Sequence, residues 1–182
     1  MVKIDKPCVY FVEPGPENTG DVLNAVVRRL KEGDIDTVVV ASTSGSTGVR
    51  FAEALKGKAK VVAVSHEEME PNFKEEIVRL GGIAVDKTHI PFDKRGMEKV
   101  KNTFYTLGQG LKVAVEVILI ATDNGVIKPY RDVIGVAGTD RGSDTAIVAR
   151  ATPTKEAFSE DVDKKLEIRE IIAMPLKKKW WD

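Results

Sequence analysis

The chain has 182 residues, of which 42% are hydrophobic and 31% charged; this suits one folded domain with a proper core. No apolar run approaches the roughly 20 residues of a membrane-spanning helix, so no membrane partner is expected. Lysine plus arginine equal aspartate plus glutamate at 28 each, which leaves no basic excess for nucleic acid, and the single cysteine, Cys8, excludes an internal disulfide.

Met1, Val2 and Lys3 begin no apolar leader, and the expected location is the cytoplasm. Residues 8–12 read as a strand, with Cys8 a small buried hydrophobe. A helix over 17–31 gathers Val22, Leu23, Val26, Val27 and Leu30 on one face, with acids early, bases late and Gly33 just beyond its end. A second strand, 37–41, runs into Ser42, Thr43, Ser44, Gly45, Ser46, Thr47 and Gly48, and a short helix over 48–56 follows. A third strand, 60–65, delivers Ser65 and His66 to a loop. The third helix begins at Asn72, with Glu75 completing a capping box, and ends at Gly81. Residues 83–86 form a fourth strand.

The next helical pattern starts near Asp93 and breaks at 106–110, although its length also fits one long helix. Thr106 with Gln109 spells a second capping box. The helix beyond it, ending at Asn124 and Gly125, is apolar on all sides over 117–120, so it is buried against a sheet or in a subunit contact. Strands at 133–137 and 146–149 are joined through Gly138-Thr139-Asp140-Arg141-Gly142-Ser143-Asp144-Thr145, which suggests a hairpin. Residues 151–163 read as a surface segment and 166–174 as a last strand, and the Trp180-Trp181 tail as a docked end or a subunit contact. Short strands alternating with helices predict an α/β fold: three αβα layers around a mostly parallel sheet with a terminal antiparallel hairpin. The expected organisation is one domain over 1–182, with 151–182 appended.

Every residue from 42 to 48 is Ser, Thr or Gly. At a strand-to-helix junction such a loop suits an anion, because the first amides of a helix lack partners, the macrodipole favours negative charge, and small residues admit a phosphate to the backbone. The plainer reading is an ordinary turn and cap. A P-loop requires Lys after its second glycine, whereas Val49 and Arg50 follow Gly48, and the third glycine of a dinucleotide fingerprint is missing. His66 sits where an acid or base would serve, and an ordinary loop histidine is the alternative. Ser44 or Ser46 with His66 and Asp140 would make a hydrolase triad, but there is no GxSxG elbow. We assign no catalytic residue and no metal site.

The order of parts resembles the C-terminal α/β domain of pyruvate kinase: a strand into STSGSTG, a strand VVAVS, a helix ending in LGGI, then a hairpin with the loop GTDRGSDT. In that family the Ser/Thr/Gly loop binds a phosphate of a sugar-phosphate effector, and the late loop covers the same pocket. The 182 residues hold no counterpart of the family's catalytic barrel, so the resemblance implies no pyruvate kinase activity. The chain is similar to free-standing archaeal and bacterial proteins built from this domain alone, and that likeness implies flavin mononucleotide (FMN) as the cofactor. The site residues expected for a phosphate-bearing small molecule are Ser42 to Gly48, Ser65, His66, Thr106, Gly108, Gln109, Gly138 and Thr139, with ring contacts from Phe104, Tyr105, Leu107 or Gly110. Replacing Gly45 and Gly48 by larger residues is expected to abolish binding and spare the fold. A flavin-dependent oxidoreductase or phosphate-ester enzyme, and a regulatory or homo-oligomerisation module, stand as alternatives.

Overall fold

A computed structural model describes residues 3–179 of the chain; the Trp180-Trp181 tail lies outside them. The described strands are β1 (Val9–Phe11), β2 (Thr37–Ala41), β3 (Lys60–Val64), β4 (Ile83–Val85), β5 (Asp132–Ala137), β6 (Thr145–Arg150) and β7 (Ile168–Pro175). They form one sheet in the order β1-β7-β6-β5-β2-β3-β4. β6 runs against β5 and β7, and the other pairings are parallel. The sheet is flanked by α1 (Thr19–Leu30), α2 (Ser46–Leu55), α3 (Pro71–Arg79), α4 (Glu98–Tyr105) and α5 (Gln109–Asp123). No helix among the described residues is long and apolar enough to cross a membrane.

Successive side chains of a strand point to opposite faces, so an apolar run serves two cores at once. Val38 and Val40 of β2 pack with Val22 and Val26 of α1 and Phe51 and Leu55 of α2. Val39 between them faces the other way, into a cluster with Leu111, Val115 and Ile118 of α5. α3 covers the first face farther along the sheet, where its Ile77 and Met69 of the loop before it pack on Ala63. α5 lies close on the second face because β5 carries Gly135 there: a Cβ at that position would stand 2.7 Å from the Ala114 carbonyl oxygen. Burial of α5 is nearly complete from Gly110 to Thr122, as its all-round apolar pattern predicts.

Both expected capping boxes fail. Thr106 donates its hydroxyl to the Thr103 carbonyl and ends α4, whereas Gly108, at φ 95°, precedes α5. α3 opens on Pro71, whose fixed φ suits the first helical position, one residue ahead of Asn72. The break at 106–110 is real, and two separate helices replace the single long one. α2 starts at Ser46, two residues earlier than expected, and a 3₁₀ turn, Pro16–Asn18, precedes α1. The stretch 151–163 is more than surface: Ala151, Thr152 and Ala157 are buried.

Candidate ligand-binding site

β5, β2 and β3 are neighbours that end side by side at Ala137, Ala41 and Val64. The helix leaving β2 covers one face of the sheet, and the helix entering β5 covers the other. Loops therefore part on either side of the β5–β2 seam, the place where open α/β sheets form ligand crevices. A cleft of about 660 Å³ opens there. Its walls are Ser42, Thr43, Ser44, Ser46 and Thr47 after β2, Ser65 and His66 after β3, and Gly138, Asp140, Arg141 and Gly142 after β5, closed by one side of α5.

The 42–48 loop is held from within. The Ser42 amide donates to Val64 O at 2.9 Å, and the buried Ser42 hydroxyl accepts from the Gly48 amide, also at 2.9 Å. Ser65 Oγ donates to Thr43 O at 3.2 Å and accepts from the Glu67 amide at 3.0 Å, so β3 props the loop from the side. Gly45, at φ 102°, turns the chain into α2 in the left-handed region where glycine is unstrained. The amide of Ser46 donates to Ser44 Oγ at 3.3 Å. Among the described residues no protein acceptor takes the amides of Thr43, Ser44, Gly45 or Thr47.

The late loop is pinned at both ends. Asp144, fully buried, accepts from the Thr139 amide at 3.0 Å and the Thr145 hydroxyl at 2.7 Å. Thr19 Oγ1 donates to Pro16 O at 2.6 Å and accepts from the Ser143 amide at 2.9 Å. Gly142 lies so near Thr19 and Pro16 that a Cβ there would come within 2.5 Å of the Thr19 hydroxyl. The early segment thus buttresses the late loop and does not line the cleft. Asp140 and Arg141, at the exposed tip, face the opening.

The α5 wall was not foreseen in detail. Gln109, Lys112, Val113, Glu116, Val117 and Ile120 form one stripe along the cleft. Lys112 Nζ meets Glu116 Oε2 at 2.8 Å, with both side chains almost wholly buried. Burial pushes the Glu116 carboxyl above its ordinary pKa, against the pull of the Lys112 ammonium. The signal was legible: two charges four residues apart in a stretch, 110–121, that is otherwise apolar.

Of the expected contacts, Ser42, Thr43, Ser44, Ser46, Thr47, Ser65, His66, Gln109 and Gly138 meet at the cleft. Gly45, Gly48, Thr106, Gly108 and Thr139 stand behind it or away from it. Gly48 is a packing residue, since a Cβ there would sit 2.7 Å from Ala63 Cβ, and Thr139 is buried behind its bond to Asp144. Nor do the proposed ring contacts reach it: Phe104 stacks on Phe92 at 5.2 Å, Gly110 abuts Asp144 and Thr145, and Leu107 is exposed. His66 pairs with Glu67 at 3.4 Å, while Ser44 Oγ donates to Ser46 Oγ at 3.1 Å. No serine hydroxyl bonds a histidine among the described residues, so the triad geometry does not form.

A mixed α/β sheet with a Ser/Thr/Gly loop and a late hairpin loop facing each other across its carboxyl end defines an α/β domain of the pyruvate kinase C-terminal type. Residues 20–149 match the family model described as "Pyruvate kinase, alpha/beta domain", and the chain belongs to that family.

Proposed function

We propose that the cleft binds a phosphate-bearing small molecule, with its phosphate on the 42–48 loop, and that FMN is that ligand. The observation that carries this reading is the set of three unpartnered amides on cleft-lining residues, of Thr43, Ser44 and Thr47, beside the loop hydroxyls at the start of α2. Such amides, backed by a helix dipole, suit the dianion of one phosphomonoester. A dinucleotide would need a longer track for its pyrophosphate.

The rest of the cleft suits a flat ring. Ala41, Val64, Ile90, Val113, Val117 and Ile120 supply apolar surface, and the volume falls within the range of small-molecule sites. Bound FMN would bring an isoalloxazine ring capable of redox chemistry. The chain's own residues bind and orient: the loop takes the phosphate, the aliphatic wall shields the ring, and Arg141 adds positive charge at the mouth. No side chain here is placed as an attacking group.

Titration of the purified protein with FMN, followed by flavin absorbance, tests this reading. A shifted spectrum with saturable binding is expected, and an unshifted spectrum contradicts the flavin assignment.

A further inference from the structure

Lys112 and Glu116 are an expensive pair to keep in a wall. Desolvating two charges offsets most of their attraction, so a buried ion pair contributes little to stability by itself. Their hydrogen-bonding capacity is also only partly used. Among the described residues the Lys112 ammonium has one hydrogen-bond partner, Glu116, with the Tyr105 ring 5.7 Å from it. Glu116 Oε1 takes only a long bond, 3.3 Å, from the Phe92 amide. One turn earlier on the same stripe, the buried Oε1 of Gln109 has no partner.

We infer that Lys112 and Glu116 read the polar edge of the ligand's ring, and that this edge is a lactam or imide, O=C–N–H. The inference rests on the phosphate-ester reading above and adds the chemical class of the other end of the ligand. An ammonium donates to the ring carbonyl, and the adjacent carboxylate accepts from the ring N–H. Nζ and Oε2 stand 2.8 Å apart, close to the roughly 2.3 Å that amide bond lengths set between the oxygen and nitrogen of a cis amide. A phosphate dianion would accept from the ammonium but offer the carboxylate no donor. Aliphatic rings and rings lacking the N–H are disfavoured, because they displace water from the buried carboxylate without offering its remaining lone pairs a donor.

The test is calorimetric titration of the full chain and of Lys112→Met and Glu116→Gln, with FMN, FMN methylated at the ring imide nitrogen, and ribitol 5-phosphate. The unsubstituted protein is expected to bind FMN at least about tenfold more tightly than the methylated form, as one charged hydrogen bond lost from a buried site implies. Glu116→Gln should reduce that preference, because a neutral amide is a weaker acceptor for the ring N–H, Lys112→Met should weaken both flavins several-fold by removing the donor to the ring carbonyl, and both variants should keep their affinity for ribitol 5-phosphate within about twofold. Comparison of the two flavins on unsubstituted protein needs no variant to fold. Equal affinity for them, or variants that weaken ribitol 5-phosphate as much as FMN, overturns the assignment. If ribitol 5-phosphate binds and FMN does not, the FMN and ring-edge assignments fall and the phosphate reading stands. If neither binds, the phosphate reading falls and takes this one with it.

Discussion

The Ser42 hydroxyl accepts the amide of Gly48 across the base of the 42–48 loop, at 2.9 Å and in a buried position. This bond satisfies one of the amides that a helix start leaves without a partner, and it fixes how far the loop can open. Ser42→Ala is expected to leave that amide orphaned and to lower stability by about 1–3 kcal/mol. For a chain of this size that is a fall in Tm of several degrees. Thermal unfolding checks it, and an unchanged Tm would remove Ser42 from the loop's support.

Gly48→Ala is expected to strain the fold. The added methyl would stand 2.7 Å from Ala63 Cβ and 3.0 Å from Ile77 Cδ1, both in the core under α2. Overpacking of this kind costs about 1–3 kcal/mol. Gly45 is no cleaner, with Phe73 Cβ 2.7 Å from a Cβ placed there and a left-handed φ. Substitutions at these glycines therefore change stability along with any binding, contrary to the expectation drawn from the sequence. Thr47→Val is the sharper probe, since Thr47 lines the cleft and its hydroxyl has no partner among the described residues. Equal thermal stability of Gly48→Ala and the unsubstituted chain would refute the packing role.

Thr19→Val is expected to loosen the late loop. Thr19 is buried, and its hydroxyl is the acceptor for the Ser143 amide 124 positions away. Removing the oxygen leaves that amide unsatisfied, at about 1–3 kcal/mol. Hydrogen exchange should quicken at Ser143 and its neighbours, while Thr19→Ser should restore protection. Unaltered exchange in the valine variant would show that the loop is held by other means.

The sheet's far side supplies a pH dependence. Arg29, buried, bonds Asp34 at 2.7 and 2.9 Å and Glu170 at 2.8 and 2.9 Å. The guanidinium holds the Asp34 carboxyl at about 2, against an ordinary 3.8, and lowers Glu170 as well. Below their ordinary values the unfolded chain binds more protons than the folded one, so stability is full above about pH 5 and falls as pH drops toward 2. Asp34 is more than half exposed, and screening reduces its share. Arg29→Met should flatten this acid limb in urea unfolding followed across pH 2–6. A limb of unchanged slope contradicts the assignment.

The strands and helices were largely legible because both faces of the sheet are covered, and valine-rich runs such as 38–40 and 61–64 mark interior strands without ambiguity. What failed was local. Thr106 and Asn72 carry the letters of capping boxes, yet a glycine at positive φ and a proline at the first helical position outcompete them for the helix start. The cleft was half visible. Ser, Thr and Gly after β2 announce a loop open to anions, but the opposite wall depends on which side of α5 meets the β5–β2 seam. That rotation is set by packing on Gly135, and it brings Lys112 and Glu116 inward. Phe104 and Tyr105 read from the sequence either as ring contacts or as core, and Phe104 stacks on Phe92 against the α5 cluster.

The central claim is that the 42–48 loop holds the phosphate of the ligand. Its most direct test is the ratio of dissociation constants for riboflavin and FMN, which differ by that phosphate alone, measured by flavin fluorescence on the unsubstituted chain and on Thr47→Val. A ratio of at least about 100 for the unsubstituted chain, corresponding to about 2.7 kcal/mol of phosphate recognition, is expected. Thr47→Val should lower that ratio several-fold through FMN alone. Equal affinity for riboflavin and FMN would contradict the claim.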